Sequence, residues 1–117
     1  MAAPNIVGVT TITGSTSVLV LTASAVALVT NSASSGNVYK VNSLYVSNVD
    51  ATTNYSVTIE LFRSSVAYRI AYQVVVPASG TLDILSKSIY LLEGDSLRAL
   101  ASTTLKLEAV CSFEVIS

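Results

Sequence analysis

Few residues in this sequence could do covalent chemistry. The 117 residues include one cysteine, Cys111, and no histidine. A thiol becomes a nucleophile when a base or a positive environment removes its proton, and histidine usually fills that role. Cys111 lies in an alternating apolar run near the end of the chain, so we interpret it as a small core side chain rather than a reactive thiol. The composition also excludes zinc sites of the usual Cys/His kind. We therefore expect no catalytic residue, no metal ligand and no cofactor.

One pair of carboxylates has the spacing of a candidate site. Glu93 and Asp95 flank Gly94. Calcium would require more oxygen donors than these two side chains provide. A structural turn is the better interpretation, with Gly94 at a positive φ and both carboxylates in solvent. We predict that Glu93, Gly94 and Asp95 form such a turn.

Aromatic side chains suggest a different function, the binding of glycans. A tyrosine-lined face that stacks on sugars would make the protein a lectin-like module, but such a site needs clustered aromatic residues with carboxylates or amides beside them. The six tyrosines are scattered over different predicted strands instead: Tyr39, Tyr45, Tyr55, Tyr68, Tyr72 and Tyr90. Packing is the favoured interpretation, and the glycan-binding module remains an alternative.

The composition is apolar and poor in charge. Hydrophobic residues make up 51% of the chain and charged residues 11%, with a net charge of −1, whereas about 25% of residues are charged in typical soluble domains. Its 18 serines and 12 threonines supply most of the polarity. Such a surface is easily desolvated and suits a chain that is covered by protein partners. Without a basic stripe or a spanning segment, we expect neither nucleic acid nor membrane as a partner.

The pattern of apolar residues predicts an all-β chain. β-branched residues dominate, and clusters of Gly, Pro, Asn and Ser interrupt the apolar runs at short intervals. We predict eight to ten short strands in an antiparallel, jelly-roll-like β-sandwich that forms a single domain over residues 1–117. The predicted strands cover residues 6–13 (closed by Gly14 and Ser15), 18–21, 26–30, 38–49, 57–61, 68–76, 82–84, 89–92, 97–101 and 105–115. A short apolar helix is the alternative for residues 18–30.

Two of these strands carry more specific predictions. The alternation of residues 38–49 changes phase, which predicts a bulge near Asn42 and Ser43. In residues 68–76, the larger apolar side chains at every second position are predicted to share one face, with Arg69 and Gln73 on the other.

The charges are unevenly distributed along the chain. No Asp, Glu, Lys or Arg precedes Lys40. An ordinary core strand would explain this, and so would a segment buried between subunits, where charge is depleted. Under the second interpretation, residues 1–25 form an extended N-terminal arm or an interface strand. Its candidate interface residues are Ile6, Val7, Val9, Thr11 and Thr13.

Four segments resemble one protein family. Residues 27–50, 75–78, 89–97 and 107–117 are similar to small virion structural proteins, of the capsid decoration type, from tailed phages of marine bacteria, notably cyanophages. The resemblance covers the chain from about Val26 onwards. It implies a non-enzymatic virion protein made in the cytoplasm of the bacterial host. We interpret the chain as a capsid decoration or cement protein that contacts other virion proteins, such as the major capsid protein. We also expect a homo-oligomer, and analogy with other jelly-roll decoration proteins indicates a trimer. A neck, tail or fibre component is the alternative within the same class.

Overall fold

The computed structural model describes residues 11–117, in which strands are joined by turns and loops and no helix occurs. The strands of this part are β1 (Ile12–Val20), β2 (Val26–Thr30), β3 (Val38–Asn48), β4 (Tyr55–Arg63), β5 (Val66–Val76), β6 (Thr81–Asp83), β7 (Ile89–Leu91), β8 (Ser96–Ala101) and β9 (Leu107–Ile116). The all-β prediction with eight to ten strands is confirmed. No helix in residues 11–117 is long and apolar enough to cross a membrane.

The strands form two antiparallel sheets. The first has the order β1-β9-β3-β6, with β7 also pairing with β3, and the second has the order β2-β8-β4-β5. Because β6 and β7 pair with two successive parts of β3, they act as two halves of one interrupted strand. The resulting eight strands then follow the order of a jelly roll, two Greek keys folded into facing sheets. The predicted fold class is confirmed.

The core lies between the two sheets and is apolar. In β9, inward side chains alternate with outward ones, as expected for a strand with one buried face. Cys111 is one of the inward residues and is fully buried, which raises the pKa of its thiol to about 11. A protonated, buried thiol is inert, so the interpretation of Cys111 as a core side chain is confirmed. The larger fully buried apolar residues are Leu21, Val41, Leu44, Val46, Val57, Ile59, Val76, Leu91, Leu97 and Leu107.

The predicted bulge in β3 is present. Its register against β9 shifts between Val41 and Ser43, so that Asn42 is the extra, exposed residue. The bulge brings Val41 and Leu44 onto the same buried face although their positions differ by three, an odd number. The phase change in the sequence therefore indicated the bulge correctly.

β1 differs from its prediction. Gly14 and Ser15 were expected to close the first strand, but they lie inside β1, opposite Glu114 and Phe113. The nine residue pairs between β1 and β9 are continuous, and this partner outweighs the weak strand preference of glycine. The predicted strand at residues 18–21 is thus the end of β1, and β2 has its predicted bounds, so the helix alternative is wrong. Residues 6–10 of the predicted first strand lie outside the described residues.

β5 also differs from its prediction. Its register against β4 shifts twice, on either side of Ile59, and Gln73 has a φ of 50°. Cross-strand neighbours share a face. Tyr68 therefore lies on the same side as Leu61, whereas Tyr72 lies near Arg69 on the outward side. The prediction of one shared face for this series is wrong, because bulges that only the pairing reveals change its phase.

Two leucines near the start of β9 allow a matched test of the core. Leu107 is fully buried and Leu105, two residues earlier, is 64% exposed. We expect Leu107→Ala to lower the free energy of unfolding by about 2–5 kcal/mol, since it leaves a cavity. Leu105→Ala should change it by less than about 0.5 kcal/mol. Denaturant unfolding of both variants measures the difference, and equal losses would contradict this description of the core.

Candidate interaction surfaces

The turn between β7 and β8 contains Glu93, Gly94 and Asp95. Gly94 has a φ of 88°, a conformation that side chains with a branched Cβ resist. A Cβ on Gly94 would meet no atom within 4 Å, so the requirement for glycine here is one of backbone conformation and not of space. The N–H of Gly94 donates to the carbonyl oxygen of Asn31 at 2.8 Å, which ties this turn to the loop after β2.

The expectation that both carboxylates are solvated is wrong for Asp95, which is only 2% exposed. Its two oxygens accept hydrogen bonds from the Arg63 guanidinium at 2.9 and 2.6 Å, and the Leu92 N–H donates to one of them at 2.8 Å. Glu93 accepts from the Gly36 N–H at 3.0 Å. Both carboxylates therefore bind groups of the chain itself. No cluster of three or more potential metal ligands occurs in residues 11–117.

Asn31 is a structural residue that the sequence analysis missed. Its buried side-chain amide donates to the carbonyl oxygens of Asn37 and Leu91 at 2.9 and 3.0 Å, and its side-chain oxygen accepts from the Ser35 hydroxyl at 2.6 Å. The amide thus holds the β2–β3 loop against the end of β7. An asparagine that directly follows an apolar strand and begins a Ser- and Gly-rich loop was the available signal.

The outward side of the four-stranded sheet has a buried ion cluster. Glu60, on β4, is 3% exposed although its strand alternation places it away from the core. Its carboxylate pairs with Arg98 at 2.7 Å and with Arg69 at 3.4 Å. The Arg98 guanidinium also covers the Phe62 ring at 3.9 Å from the centroid. These contacts compensate the buried charge of Glu60 and cover part of this face, and the cluster has a net charge of +1.

One edge of that sheet exposes an unusual amount of apolar surface. β5 is the edge strand next to β4, and most of its large apolar side chains face solvent. We call these side chains the β5 strip: Val66, Tyr68, Ile70, Tyr72, Val74 and Val75. These side chains belong to both faces of β5, so the strip follows the edge of the sheet and is not confined to one face. So many exposed apolar side chains on one edge strand are typical of a protein interaction site.

A second apolar surface lies on the outward face of the five-stranded sheet. Val18, Val110 and Tyr45 are direct neighbours across β1, β9 and β3, and all three are exposed, Val18 by 72%. We call them the Val18 row. Val18 and Val110 of this row also line a shallow groove of about 380 Å³. Its other lining residues are Leu19, Val20, Glu108 and Ala109.

Two of the five candidate interface residues from the sequence are described, and they lie at the beginning of β1. Thr11 and Thr13 are exposed, and Thr13 lies opposite Val115. Ile6, Val7 and Val9 lie outside the described residues. The structure thus places Thr11 and Thr13 near the end of β1 remote from the Val18 row.

The tyrosines do not come together in one place. Tyr68 and Tyr72 are exposed on β5 of one sheet, while Tyr45 and Tyr90 are exposed on β3 and β7 of the other. Tyr39 is half-buried and stacks on Phe113, with 5.5 Å between ring centroids. The tyrosines of the described residues therefore do not form one sugar-stacking cluster.

Comparisons with known proteins find similarity at the level of the fold. No protein-family model matches the chain, and no curated protein matches it. A chain from Bacillus endospore appendages, described as a novel family of disulfide-linked pili, aligns with a TM-score of 0.53 and 17% identity over 92% of this chain and 88% of that chain. A chain from the acid-stable capsid of Helicobacter pylori bacteriophage KHP30 aligns with a TM-score of 0.56 and 10% identity over 93% and 90%. At these identities the likeness concerns the fold alone.

The Gly94 conformation leads to a prediction about the turn. Gly94→Val should lower the free energy of unfolding by about 1–3 kcal/mol, because a β-branched residue resists a positive φ. Gly94→Asn is the matched control and should cost less, since asparagine tolerates this region. Thermal or denaturant unfolding compares the two, and equal destabilisation would show that space and not backbone conformation selects glycine.

The surroundings of Asp95 lead to a pH prediction. Burial disfavours its charged form, but the hydrogen bonds from Arg63 and Leu92 and the charge of Arg63 outweigh this and hold the pKa of Asp95 below its ordinary value. A carboxylate with a lowered pKa stabilises the fold above about pH 4, and this contribution is lost as the pH falls through its folded-state pKa. We expect Asp95→Asn to cost about 1–3 kcal/mol at neutral pH.

The measurement is denaturant unfolding of the parent and of Asp95→Asn at neutral pH and at about pH 2.5, where the difference between them should shrink. Hydrogen bonds from the backbone and side chain of Thr52 also lower the pKa of Asp50, so Asp50 contributes to the pH dependence of both proteins. The difference between parent and variant removes this shared contribution. Glu93→Gln is the control and should change little, because an amide oxygen can still accept from Gly36. A pH-independent loss in Asp95→Asn would contradict the role of its charge.

Proposed function

We propose that this protein is a non-enzymatic structural subunit of a bacteriophage particle and that it decorates and stabilises the capsid. The observation that carries the proposal is the exposure of two separate apolar surfaces, the β5 strip and the Val18 row. The resemblance of residues 27–50, 75–78, 89–97 and 107–117 to phage virion proteins supports the setting. The likeness of the fold to chains from a phage capsid and from pili supports an assembled state.

The position of the two surfaces suits a protein that bridges neighbours. The β5 strip lies on the edge strand of the four-stranded sheet, and the Val18 row lies on the outward face of the other sheet. Two non-equivalent adhesive surfaces on one chain allow contacts with two different neighbours, as a subunit of a shell or fibre requires. Soluble monomers rarely expose apolar surfaces of this kind, so both surfaces favour contacts with other proteins.

The proposed partners are further copies of this chain and other virion proteins, among them the major capsid protein. The trimer expected by analogy with other jelly-roll decoration proteins belongs to this proposal. The uncharged beginning of the chain, with Thr11 and Thr13 on the described side and Ile6, Val7 and Val9 before them, is proposed as part of the subunit interface. We propose synthesis in the cytoplasm of the host bacterium and residence in the virion.

The number of copies in a particle distinguishes the members of this class. A cement protein covers the shell in hundreds of copies, while a neck, tail or fibre component is present in six, twelve or a few dozen copies. Quantitative mass spectrometry of purified virions from the phage that encodes this chain measures the number. Absence from the particle would refute the virion function, and a small copy number would replace decoration by the neck, tail or fibre alternative.

The β5 strip provides the mutational test. We expect Val75→Lys to have a melting temperature close to the parent's, since Val75 is exposed. The variant should fail to bind phage particles that were prepared without this protein, to which the parent binds. Burying an unpaired charge in an interface costs several kcal/mol, or about 100-fold or more in affinity. Thr13→Lys tests the uncharged beginning of the chain in the same way. Cosedimentation with particles measures the binding.

Thr104→Lys is the matched control, an exposed threonine in the loop between β8 and β9. It should fold and bind like the parent. If Val75→Lys also binds like the parent, the β5 strip faces solvent in the particle and does not contact the capsid. Binding to glycans with retained particle binding would favour the lectin-like alternative.

A further inference from the structure

The edge of β1 that faces away from β9 is unpaired within residues 11–117. β1 is the outermost strand of the five-stranded sheet, and its partner in this part of the chain is β9 alone. The nine residue pairs from Ile12 to Val20 follow one register without a shift. β1 therefore presents a long, regular row of free backbone groups on its other side.

The hydrogen bonds at both ends of β1 show which residues supply these groups. Thr11 and Ser117 exchange two backbone bonds, and the Leu21 N–H donates to Leu107. In an antiparallel pair, bonded residues alternate with residues whose backbone groups point the other way. The odd-numbered residues thus bond to β9, and the free edge consists of the N–H and C=O groups of Ile12, Gly14, Thr16, Val18 and Val20.

Nothing in β1 protects this edge against another strand. Natural proteins blunt exposed edges with charges, prolines, bulges or very short strands. The other described edges have such features: β5 has two register shifts and Arg69, β2 has five residues and a shift, and β6 has three residues. β1 has nine residues and no charge, proline or bulge.

We propose that a second copy of this chain occupies the edge. In the proposed contact, β1 pairs antiparallel with the second copy's β1 about a two-fold axis at Thr16. The two Thr16 residues then face each other, Gly14 faces the second copy's Val18, and Ile12 faces the second copy's Val20. The two five-stranded sheets become one continuous sheet across the axis.

The backbone of β1 is complementary to itself in this register. A two-fold axis at Thr16 pairs even-numbered residues with even-numbered residues, so that every free N–H on one copy meets a free C=O on the other. Five such pairs, each exchanging two bonds, give about ten backbone hydrogen bonds. The register also uses the full length of the strand, which an axis at a neighbouring residue would not.

The side chains fit the same register. Val18 is the most exposed large apolar residue of the described chain, and it would lie opposite Gly14, which has no side chain and no atom within 4 Å of an added Cβ. Ile12 is also exposed and would lie opposite the second copy's Val20, which lines the groove of that copy. On the other face, Ser15 would lie opposite the second copy's Ser17. No charged side chain enters the contact.

This contact is a property of the purified chain and does not depend on a role in the virion. A chain that is absent from phage particles could still form it, and a virion protein could lack it. If the proposed trimer forms through another surface, both contacts together produce an assembly with an even number of chains. The tests below therefore detect the β1 contact itself as well as the mass.

Cross-linking at the axis tests the register. Facing residues in a hydrogen-bonded antiparallel pair have Cα atoms about 5.5 Å apart, which a disulfide can span. Thr16→Cys should therefore form a disulfide-linked dimer under mild oxidation. In Val18→Cys, the two thiols would be displaced by four residues, or about 13 Å, along the strands. We expect cross-linking at least about tenfold faster for Thr16→Cys, although Val18 is more exposed. Cys111 is buried and does not compete.

Amide hydrogen exchange and a proline variant test the pairing without a cross-link. The amides of Gly14, Thr16 and Val18 should exchange as slowly as those of Ser15 and Ser17, and dilution below the dissociation constant should accelerate the even-numbered set alone. Thr16→Pro removes no bond to β9, because its N–H points to the free edge, and should abolish the dimer in light scattering.

Three results would overturn the proposal. The first is a monomer at about 100 µM with rapidly exchanging even-numbered amides, since an exposed edge would then have no occupant. The second is equal cross-linking of Thr16→Cys and Val18→Cys, which would contradict the register. The third is a monomer whose even-numbered amides are slow at all concentrations, which would assign the edge to another segment of the same chain. The cysteine variants decide the matter if Thr16→Pro does not fold.

Discussion

The pairing of β9 with both β1 and β3 is the interaction on which the rest of the structure depends. β9 lies between β1 and β3 in the five-stranded sheet, so this sheet cannot form without the last part of the chain. Its alternation orients Leu107, Ala109 and Cys111 into the core and Glu108 and Val110 outward. Through the shared register, these orientations determine which residues of β1 and β3 are buried and which face solvent.

A second constraint acts where the loops meet at one end of the sandwich. Asn31 and Asp95 are buried, and their hydrogen bonds satisfy backbone groups that strands leave unpaired where they end. Buried polar groups are tolerated only with such partners. Among the described residues, no buried side-chain nitrogen or oxygen lacks one. The charged residues near this end therefore stabilise the loops.

Some of the chain's few charges are paired with one another. Glu60, Asp95, Arg63, Arg69 and Arg98 all take part in ion pairs, so five of the thirteen charged residues contribute little free charge to the surface. Hydroxyl and apolar side chains cover much of the remainder. A surface of this kind loses little solvation free energy when partners cover it. This explains how a compact jelly roll can combine a well-packed core with the β5 strip and the Val18 row.

Local patterns in the sequence determined much of the fold. The β-branched runs and turn residues indicated an antiparallel sandwich, the bounds of β2, the bulge of β3 and the burial of Cys111, because each depends on residues within a short window. Three features were decided by the tertiary structure alone. β1 continues through Gly14, β5 loses its single apolar face, and Glu60 and Asp95 are buried. In each case the decisive partner is distant in sequence: β9 for Gly14, the bulged pairing with β4 for β5, and Arg98 and Arg63 for the two carboxylates. Alternation along one strand cannot show which remote strand or guanidinium will lie beside a residue, and that neighbour determines its final environment.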